Sequence, residues 1–454
     1  MRKYFGTDGI RRIANTELTP ELVYRVAKAG AYVLSKHTDH TPTILIGRDT
    51  RISGTLIESA MTAGFLSYGA NVKLLGVIPT PAIAYLTRKL KADAGVVISA
   101  SHNTYEFNGI KYFSNKGTKI PDSLEEEIEE VMDSGKIEEL TAVSNKIGVS
   151  EDRKDLLDEY VYFFRKNFDD KFDSFNMKNF VVGIDTANGA TSVVAEKVFK
   201  ALKIPCKIIN NTPDGININN NCGSTHLEML KKYVVDNKLS LGIAYDGDGD
   251  RCLAVDEKGN TIDGDKIMAI ISNYLRRQGK LEKDTIVATV MSNLGLNKYA
   301  RDNGLELLQT KVGDRYVLEE MLKDGFNLGG EQSGHVIMLD YNPTGDGILT
   351  SLMLIQAILE EGKSASEVAS IIKLYPQVLI NAKVCDSKKY DFDKNEKIKN
   401  AIEKLEREFA GNGRVLIRPS GTEPLVRVMI EGENQEEITK KAKKMVELIE
   451  EELK

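Results

Sequence analysis

Two serines and a histidine follow an apolar run in the segment VVISASHNTYEFNGIKYF, residues 96–113. The apolar residues 94–98 predict a buried strand, so Ser99, Ser101 and His102 fall on the loop beyond its carboxyl end. Ligands of open α/β sheets gather at the carboxyl ends of the strands. We therefore expect Ser101 to be presented to a ligand and not buried, although a plain turn rich in serine and asparagine fits this segment alone at least as well.

Three aspartates at alternate positions follow an apolar run in the segment YDGDGDRC, residues 245–252. They are Asp246, Asp248 and Asp250, and carboxylates so closely spaced repel one another unless a cation lies among them. Hard oxygen ligands without histidine or thiol favour magnesium over zinc. The alternative is a calcium loop of the helix-loop-helix kind. Arg251 stands at the sixth position of such a loop, where glycine is required, and the flanking segments predict strands.

The segment RPSGTEPLVRV, residues 418–428, combines basic and hydroxyl side chains around a glycine turn between two predicted strands. Two guanidinium groups, two hydroxyls and exposed backbone N–H groups can surround a phosphate with charge-assisted hydrogen bonds. A plain hairpin turn with arginines at its rim is the alternative. The residues that would bind the phosphate are Arg418, Ser420, Gly421, Thr422 and Arg427.

The segment GGEQSGH, residues 329–335, offers a weaker signal. Glu331 and Ser333 supply an acceptor and a hydroxyl that suit vicinal sugar hydroxyls, and His335 could move a proton near neutral pH. A turn histidine that faces solvent is the alternative interpretation.

Three segments with the same order of features predict the elements that carry these residues. Each is a short apolar run followed by a polar turn with glycine and a helix-compatible stretch, and they begin at Thr43, Asn179 and Thr285. Apolar strands that alternate with helices predict mixed, mostly parallel sheets covered on both faces. From about residue 375, the order strand, helix, strand, strand, helix predicts a smaller α+β domain.

We therefore expect an α/β protein of four domains around a central cleft. A chain of 454 residues is too long for a single hydrophobic core. Each of the four motifs falls in a different predicted domain, so a shared cleft would bring them together. The expected domains are 1–148 with the serine loop, 149–256 with the aspartates, 257–364 with GGEQSGH and 365–454 with RPSGTEP.

Composition and charge limit the partners and the location of the protein. A net charge of -6 gives no general attraction to nucleic acid or to an anionic membrane, so we expect neither as a partner. The four cysteines are widely separated, which argues against a disulfide scaffold or a structural zinc site. The N-terminal segment has no apolar core typical of a signal peptide, and no stretch has the roughly 20 apolar residues of a membrane span. We expect a cytoplasmic protein.

Five motifs in the same order resemble the α-D-phosphohexomutase superfamily over nearly the whole chain: FGTDGIR (residues 5–11), SASHN, DGDGDR, GGEQSGH and RPSGTEP. Within the superfamily, GGEQSGH, PDGININNNCGSTH (residues 213–226) and VGDRYV (residues 312–317) are similar to the branch that acts on glucosamine phosphates. The resemblance implies an isomerase that interconverts glucosamine 6-phosphate and glucosamine 1-phosphate, which leads to UDP-N-acetylglucosamine and the cell wall.

The resemblance also implies a chemical role for each motif. Ser101 would carry the transferred phosphate and bind one Mg²⁺ per chain together with Asp246, Asp248 and Asp250. Glucosamine 1,6-bisphosphate would be the intermediate and activator, and it would turn around between two phosphoryl transfers.

Other side chains would then assist the transfer and bind the substrate. Arg11 and Arg251 would hold the transferring phosphoryl group, and Lys111 would act as general acid or base, with His335 as a second candidate for proton transfer. Glu331 and Ser333 would contact sugar hydroxyls. The group that would bind the second phosphate consists of Arg418, Ser420, Gly421, Thr422 and Arg427.

Two departures from the family pattern and three other functions stay open. Thr104 stands where the family usually has proline, and Arg12 where it usually has glycine, which affects the expected rate and local geometry but removes no catalytic group.

The alternatives are a related mutase for mannose or glucose phosphates, a magnesium phosphatase and a non-catalytic sugar-phosphate sensor. The oligomeric state is also open, with a homodimer as one option.

Overall fold

The computed structural model describes residues 3–6, 8–175, 177–420 and 423–454. By contacts between its residues, the chain divides into two units. The first unit contains Met1–Met291 and Glu306–Ile371, and the second contains Ser292–Leu305 and Ile372–Lys454. Within the described residues, no helix is both long enough and apolar enough to cross a membrane.

The first sheet lies in the first unit and has the strand order β1-β5-β4-β2-β3-β6. Strands β4, β2, β3 and β6 run parallel to one another. On the side of β4 they are followed by β5, which is antiparallel to β4, and then by β1, which is antiparallel to β5. Strand β4 is buried at every residue, as the apolar sequence predicts. The strands are β1 (Ile10–Ile13), β2 (Thr43–Arg48), β3 (Asn71–Val77), β4 (Ala94–Ile98), β5 (Phe107–Ser114) and β6 (Ser150–Asp152), and the helices are α1 (Pro20–Ser35), α2 (Gly54–Tyr68), α3 (Thr80–Lys89) and α4 (Asp122–Asp133).

The second sheet, also in the first unit, has the order β11-β10-β9-β7-β8. Strands β7, β8 and β9 run parallel, and β10 turns back against β9 through the aspartate-rich loop. Strand β9 is buried at every residue, and the aspartate-rich loop begins directly after its last residue. The strands are β7 (Val182–Asp185), β8 (Cys206–Ile209), β9 (Leu241–Tyr245), β10 (Cys252–Asp256) and β11 (Thr261–Ile262), and the helices are α5 (Leu157–Phe172), α6 (Ala195–Ala201) and α7 (Glu228–Asp236).

The third sheet has the order β13-β12-β14-β15 and, like the first two, combines parallel strands with an antiparallel strand on one side. Three parallel strands are joined at one edge by the antiparallel strand β15, and the GGEQSGH loop connects β14 to β15. The strands are β12 (Thr285–Thr289), β13 (Glu306–Thr310), β14 (Leu328–Gly330) and β15 (Val336–Met338), and the helices are α8 (Gly264–Arg277), α9 (Leu294–Asp302), α10 (Asp314–Asp324), α11 (Gly347–Glu361) and α12 (Ala365–Ala369).

The second unit contains a three-stranded antiparallel sheet with the order β16-β18-β17. The apolar side of β18 packs with two amphipathic helices around one core. Its elements are β16 (Gln377–Lys383), α13 (Glu396–Phe409), β17 (Gly413–Pro419), β18 (Leu425–Gly432) and α14 (Gln435–Glu452). The predicted fold class, three α/β portions with mixed sheets and a smaller C-terminal α+β portion, is confirmed. The domain boundaries and the central cleft stay predictions.

Candidate active site

The serine loop, residues 99–104, leaves the carboxyl end of β4 and turns sharply at Ser101. Ser99 Oγ donates to Asp49 Oδ2 at 2.5 Å and accepts the Ser101 backbone N–H at 2.9 Å. Ser101 has φ 51°, in the left-handed region that residues other than glycine seldom adopt. Ser101 is only 2% exposed, so the expectation that it would be presented and not buried is wrong.

Ser101 is buried because the loop between β9 and β10 covers it. Its Oγ donates to Asp246 Oδ2 at 2.7 Å. The next residue of that loop, Gly247, approaches the serine so closely that a Cβ atom would lie 2.6 Å from the Ser101 carbonyl oxygen. A side chain at Gly247 would therefore force the two loops apart.

The aspartate triad, Asp246, Asp248 and Asp250, fits a hard divalent cation. All three side chains are buried, and each offers one carboxylate oxygen within 4.8 Å of the others. Among the described residues, Oδ1 of Asp248 and Oδ1 of Asp250 have no hydrogen-bond partner. Burial, together with the neighbouring carboxylates of Asp250 and Asp248, raises the pKa of Asp246 well above its ordinary value. Buried carboxylate oxygens that lack partners are the ligands that Mg²⁺ prefers, so the residues present fit this ion.

Lys111 places a positive charge against the triad. Strand β5, which pairs with β4, carries Lys111, and its Nζ lies 3.1 Å from Asp248 Oδ2, 3.1 Å from Asp8 Oδ2 and 3.8 Å from Asp250 Oδ2. Burial alone would lower the pKa of Lys111, but Asp248, Asp8 and Asp250 outweigh it and raise the pKa above its ordinary value. In the free protein, Lys111 is therefore a charged ammonium group that donates hydrogen bonds to these carboxylates.

Two arginines reach the same place from different sheets. Arg11, on β1, donates from Nη1 to Asn103 Oδ1 at 3.4 Å and from Nη2 to Asp8 Oδ2 at 3.3 Å. The Arg251 backbone N–H donates to Asp246 Oδ1 at 3.2 Å, and among the described residues its Nε has no hydrogen-bond partner. Both side chains are partly exposed, so each can also donate to an anion beside Ser101.

The histidine next to the serine is held neutral. Burial, followed by the charges of Arg251 and Arg11, lowers the pKa of His102 to about 4. Its Nδ1 lies 3.4 Å from Ser101 Oγ. His102 is therefore uncharged at neutral pH, and it does not offset the negative charge of the aspartate triad.

The GGEQSGH loop contacts the strand that leaves the triad. Glu331 accepts from the Gly313 N–H at 3.2 Å and from Ser333 Oγ at 3.4 Å, and both side chains remain partly exposed. The Cys252 N–H, at the start of β10, donates to the Gly334 carbonyl oxygen at 3.0 Å. These two polar side chains therefore lie in a loop that is hydrogen-bonded to the start of β10, and both can still contact a ligand.

His335 is buried and not solvent-facing, at 3% exposure. Its Nε2 accepts the Gly345 N–H at 3.0 Å, so the neutral ring carries its proton on Nδ1. That atom lies 3.5 Å from Asp250 Oδ2. His335 is therefore directed at a carboxylate of the triad, and its role in proton transfer stays a prediction.

The RPSGTEP loop belongs to the second unit. Arg418 and Arg427 stand directly opposite each other on β17 and β18. Burial and the charge of Arg427 lower the pKa of Arg418, and Arg427 Nη2 itself lies 3.4 Å from Glu423 Oε2. Ser420 is buried, and its backbone N–H donates to the Leu425 carbonyl oxygen at 2.8 Å. The other two predicted phosphate-binding residues, Gly421 and Thr422, lie outside the described residues.

The structure adds residues that the sequence did not single out. Thr80, at the start of α3, donates from Oγ1 to Asp248 Oδ2 at 2.7 Å, across 168 positions of the chain. Asp8 contacts Lys111, and Asp314 pairs with Lys119 at 2.6 Å. Asp8 and Asp314 lie in the quoted motifs FGTDGIR and VGDRYV, which was the available signal, whereas nothing in the local pattern marks Thr80.

Four families that describe successive domains match the chain in order. They are phosphoglucomutase/phosphomannomutase alpha/beta/alpha domain I at residues 2–139, domain II at residues 158–259, domain III at residues 263–375, and the C-terminal domain at residues 379–448. The chain belongs to the phosphoglucomutase/phosphomannomutase family.

Individual relatives are more specific. The chain is 54% identical over 450 residues to a phosphoglucosamine mutase of Ruminiclostridium cellulolyticum, and the match covers 99% of each chain. The predicted resemblance to the glucosamine branch of the superfamily is thereby confirmed.

Solved structures share the fold at low identity. A phosphoglucomutase/phosphomannomutase family protein of Burkholderia thailandensis superposes with a TM-score of 0.78 at 20% identity, covering 98% of both chains. The N-acetylphosphoglucosamine mutase of Aspergillus fumigatus, solved with GlcNAc-6P and magnesium, has a TM-score of 0.73 at 16% identity, covering 100% of this chain and 96% of that one.

Proposed function

We propose that the protein is an isomerase that interconverts glucosamine 6-phosphate and glucosamine 1-phosphate through a phosphoserine at Ser101 and a 1,6-bisphosphate intermediate. The observation that carries the proposal is the contact of 2.7 Å between Ser101 Oγ and Asp246, at the edge of a buried carboxylate triad. The relatives of the chain at more than half identity are phosphoglucosamine mutases, which supports the same substrate class.

One Mg²⁺ per chain would be held by Asp246, Asp248 and Asp250 together with Ser101. Bound there, the ion would neutralise charge on the transferring phosphoryl group. The A. fumigatus neighbour was solved with magnesium, which supports this choice of ion.

In the first transfer, a sugar hydroxyl attacks the phosphorus of phosphorylated Ser101. The bond from phosphorus to Ser101 Oγ breaks while a bond from phosphorus to the sugar oxygen forms. The sugar hydroxyl loses one proton in this step and Oγ gains one. Lys111, which is charged in the free protein, would donate its own proton to Oγ and take up the proton of the hydroxyl.

The second transfer reverses these roles after the bisphosphate turns around. A bond from Ser101 Oγ to the phosphorus of the other phosphate forms while the bond from that phosphorus to the sugar oxygen breaks. Asp246, which accepts from the Oγ–H, orients the attacking oxygen, and Lys111 would donate a proton to the leaving sugar oxygen and take up the proton that Oγ loses. Arg11 and Arg251 would stabilise the charge of the transferring group.

Substrate recognition is assigned to two further loops. Glu331 and Ser333 would bind sugar hydroxyls, with His335 as a second group for proton transfer. The phosphate that is not being transferred would be bound by Arg418, Ser420, Gly421, Thr422 and Arg427. Pairs of guanidinium groups tolerate different orientations of a phosphate, so either end of a turned intermediate can bind.

The remaining expectations belong to the same proposal. We assign the domains to residues 1–148, 149–256, 257–364 and 365–454 around a shared cleft. The substrate would be a phosphorylated amino sugar used for UDP-N-acetylglucosamine synthesis in the cytoplasm, without nucleic-acid or membrane partners, and a homodimer stays an option.

A mutase for mannose or glucose phosphates is the second candidate, because the matching domain families are described as phosphoglucomutase/phosphomannomutase. Single contacts to a sugar substituent discriminate by roughly 1 to 3 kcal/mol, so some activity on these sugars is expected under either proposal.

A coupled assay with glucosamine, mannose and glucose 6-phosphates tests the function. We expect the highest kcat/KM for glucosamine 6-phosphate, and peptide mass spectrometry should locate the phosphate on Ser101. The Ser101→Ala variant should lose isomerisation altogether, because no oxygen remains to carry phosphorus. Normal turnover by this variant would refute the phosphoserine mechanism.

A further inference from the structure

Three carbonyl groups of the serine loop point toward one buried guanidinium group, that of Arg51. Its Nη2 donates to the carbonyl oxygens of Ser101 and Asn103 at 2.9 Å each. Its Nη1 donates to the carbonyl oxygens of Asn103 at 3.0 Å and Thr104 at 2.9 Å. The Arg51 side chain has no exposed surface. A rigid planar fork loses little freedom when it forms several hydrogen bonds at once, so Arg51 is suited to fix a loop.

Asp49 compensates the charge of this guanidinium group. Its Oδ2 lies 3.0 Å from Arg51 Nε, and its Oδ1 accepts the Arg51 backbone N–H at 3.0 Å. The same carboxylate accepts Ser99 Oγ, which in turn accepts the Ser101 N–H. The buried pair is therefore neutral as a whole, and it anchors the loop by its N–H groups as well as by its carbonyl groups.

Asn219 reaches the same carbonyl groups from a separate part of the chain. Its Nδ2 donates to the carbonyl oxygens of Ser101 and Asn103 at 2.8 Å each. The backbone of Asn219 has φ 57°, and its N–H donates to the Ala187 carbonyl oxygen at 2.9 Å. The Ser101 carbonyl thus receives one donor from each of two distant segments.

These donors act on the one residue of the loop with a strained backbone. A serine in the left-handed region keeps that conformation only when its surroundings hold it there. Here the conformation directs Oγ toward Asp246. Loss of the donors would let the Ser101 peptide relax and would turn Oγ away from the triad.

We propose that Arg51 and Asn219 are positioning residues for phosphoryl transfer, forming a carbonyl clamp that holds Ser101 with its Oγ directed at the aspartate triad. The inference rests on the proposed function, since it assigns the clamp to the reaction of Ser101. The clamp contacts only main-chain carbonyl groups of the serine loop, so it can hold the free and the phosphorylated serine alike. It should therefore affect the rate of transfer more than the binding of substrate.

Two variants weaken the clamp without removing a buried charge. Arg51→Lys keeps a cation beside Asp49 but loses the planar fork. Asn219→Gly keeps a residue that tolerates φ 57° and removes both hydrogen bonds. Asn221→Gly is the matched control, because Asn221 has φ 52°, lies in the same loop and is exposed, and its side chain donates to Asn220 and to no other described residue.

The first measurement is phosphoryl transfer to unphosphorylated enzyme from glucose 1,6-bisphosphate, followed by intact mass spectrometry. We expect Arg51→Lys and Asn219→Gly to be phosphorylated about 10- to 100-fold more slowly than the wild type, because a shift of about 1 Å at the reacting oxygen costs this much. The KM for glucosamine 6-phosphate should change less than about twofold, as expected for interactions that only orient the reacting group. Rates equal to the wild type in both variants, or an equal loss in Asn221→Gly, would overturn the proposal.

The second measurement uses no substrate. Hydrogen–deuterium exchange of the peptide that covers residues 99–107 should be faster in Arg51→Lys and Asn219→Gly than in the wild type and in Asn221→Gly, while exchange in β12 should stay unchanged. If the wild type fails to isomerise glucosamine phosphates, the proposed function fails, and this exchange experiment still decides whether the clamp exists. Unchanged exchange at residues 99–107 in both variants would disprove the clamp.

Discussion

Asp248 is held at one carboxylate oxygen by side chains from two different elements, α3 and β5. Its Oδ2 accepts from Thr80 Oγ1 at 2.7 Å and lies 3.1 Å from Lys111 Nζ, while its Oδ1 has no hydrogen-bond partner among the described residues. One oxygen is therefore oriented by the protein, and the other is available to a cation. A carboxylate with this division of contacts is suited to metal binding because its orientation is fixed in advance.

We predict that Asp248→Asn weakens magnesium binding and slows turnover. The amide keeps the shape but removes one of three anionic ligands, so the magnesium concentration for half-maximal activity should rise at least about tenfold, within the range for losing a supporting contact of a metal site. Titration of activity and of heat with Mg²⁺ checks this.

Asp256→Asn is the control for this variant, because Asp256 is also a buried aspartate, at the end of β10 in the same sheet, and among the described residues its side chain accepts only from its own turn. It should leave the magnesium dependence unchanged. An unchanged magnesium requirement in Asp248→Asn would contradict the assignment of the triad as the metal site.

At the scale of elements, the sequence predicted where strands end but not which loops meet. Apolar runs located β4 and β9 well, since a buried strand must be apolar throughout. The contact between Ser101 and Asp246 joins residues 145 positions apart and depends on how two sheets pack. The local pattern of apolar and polar residues carries no information on how two sheets pack. The expectation that Ser101 and Asp246 act together came only from the resemblance to a family.

The burial of Arg51 in the clamp could not be predicted from the sequence either. Arg51 lies in a polar turn after β2, where an exposed arginine is the usual expectation. The structure instead buries it completely, with three carbonyl oxygens accepting from its two Nη atoms and with Asp49 balancing its charge. A sequence gives no sign that distant carbonyl groups will converge on one side chain, so burial of this kind has to be read from coordinates.

Helix α11 begins at a buried carboxylate whose ionisation should affect stability. Asp346 accepts from the Leu349 N–H at 3.0 Å, from the Tyr160 hydroxyl at 2.8 Å and from Asn342 Nδ2 at 3.3 Å. Burial outweighs these hydrogen bonds and raises the pKa of Asp346 to about 6. The folded protein therefore holds a proton that the unfolded chain releases near pH 4, so stability falls as pH rises through about 6.

We predict that Asp346→Asn removes this pH dependence. Relative to the variant, the wild type should lose about 2 kcal/mol of unfolding free energy between about pH 4 and pH 7. Urea unfolding of both proteins across this range measures the difference. Asp302→Asn, which changes an exposed aspartate at the end of α9, should follow the wild type. Parallel pH profiles of the wild type and Asp346→Asn would show that the carboxylate ionises normally.

The two units of the molecule are not two consecutive stretches of the chain. Residues Ser292–Leu305, which contain α9, group with the C-terminal residues, although β12 and β13 on either side of them belong to the first unit. The sequence predicted a C-terminal module from its order of elements. It could not predict that an earlier helix joins this module, because α9 has the same amphipathic pattern as the helices of the first unit.

One buried carboxylate, Glu431 on β18, holds this earlier segment within the second unit. Arg414 Nε donates to Glu431 Oε2 at 2.8 Å, and its Nη2 donates to the Ser292 carbonyl oxygen at 2.8 Å. Glu431 also accepts from Asn293 Nδ2 at 3.1 Å and from the Leu294 N–H at 3.2 Å. Glu431 is completely buried, so its loss would remove the acceptor of Arg414 Nε and of the Leu294 N–H, and one of the acceptors of Asn293 Nδ2, which also donates to the Tyr375 carbonyl oxygen at 3.0 Å.

We predict that Glu431→Ala destabilises the second unit by about 3 to 5 kcal/mol, the usual cost of removing one partner from a buried ion pair. Hydrogen–deuterium exchange should increase in residues 292–305 and in β17 and β18, because the donors lose their common acceptor, while β4 and β9 of the first unit keep their protection. Glu433→Ala, at an exposed position two residues along, should change neither region. If residues 292–305 exchange in Glu431→Ala as slowly as in the wild type, α9 is held by contacts other than Glu431, and the anchoring role assigned to this carboxylate is wrong.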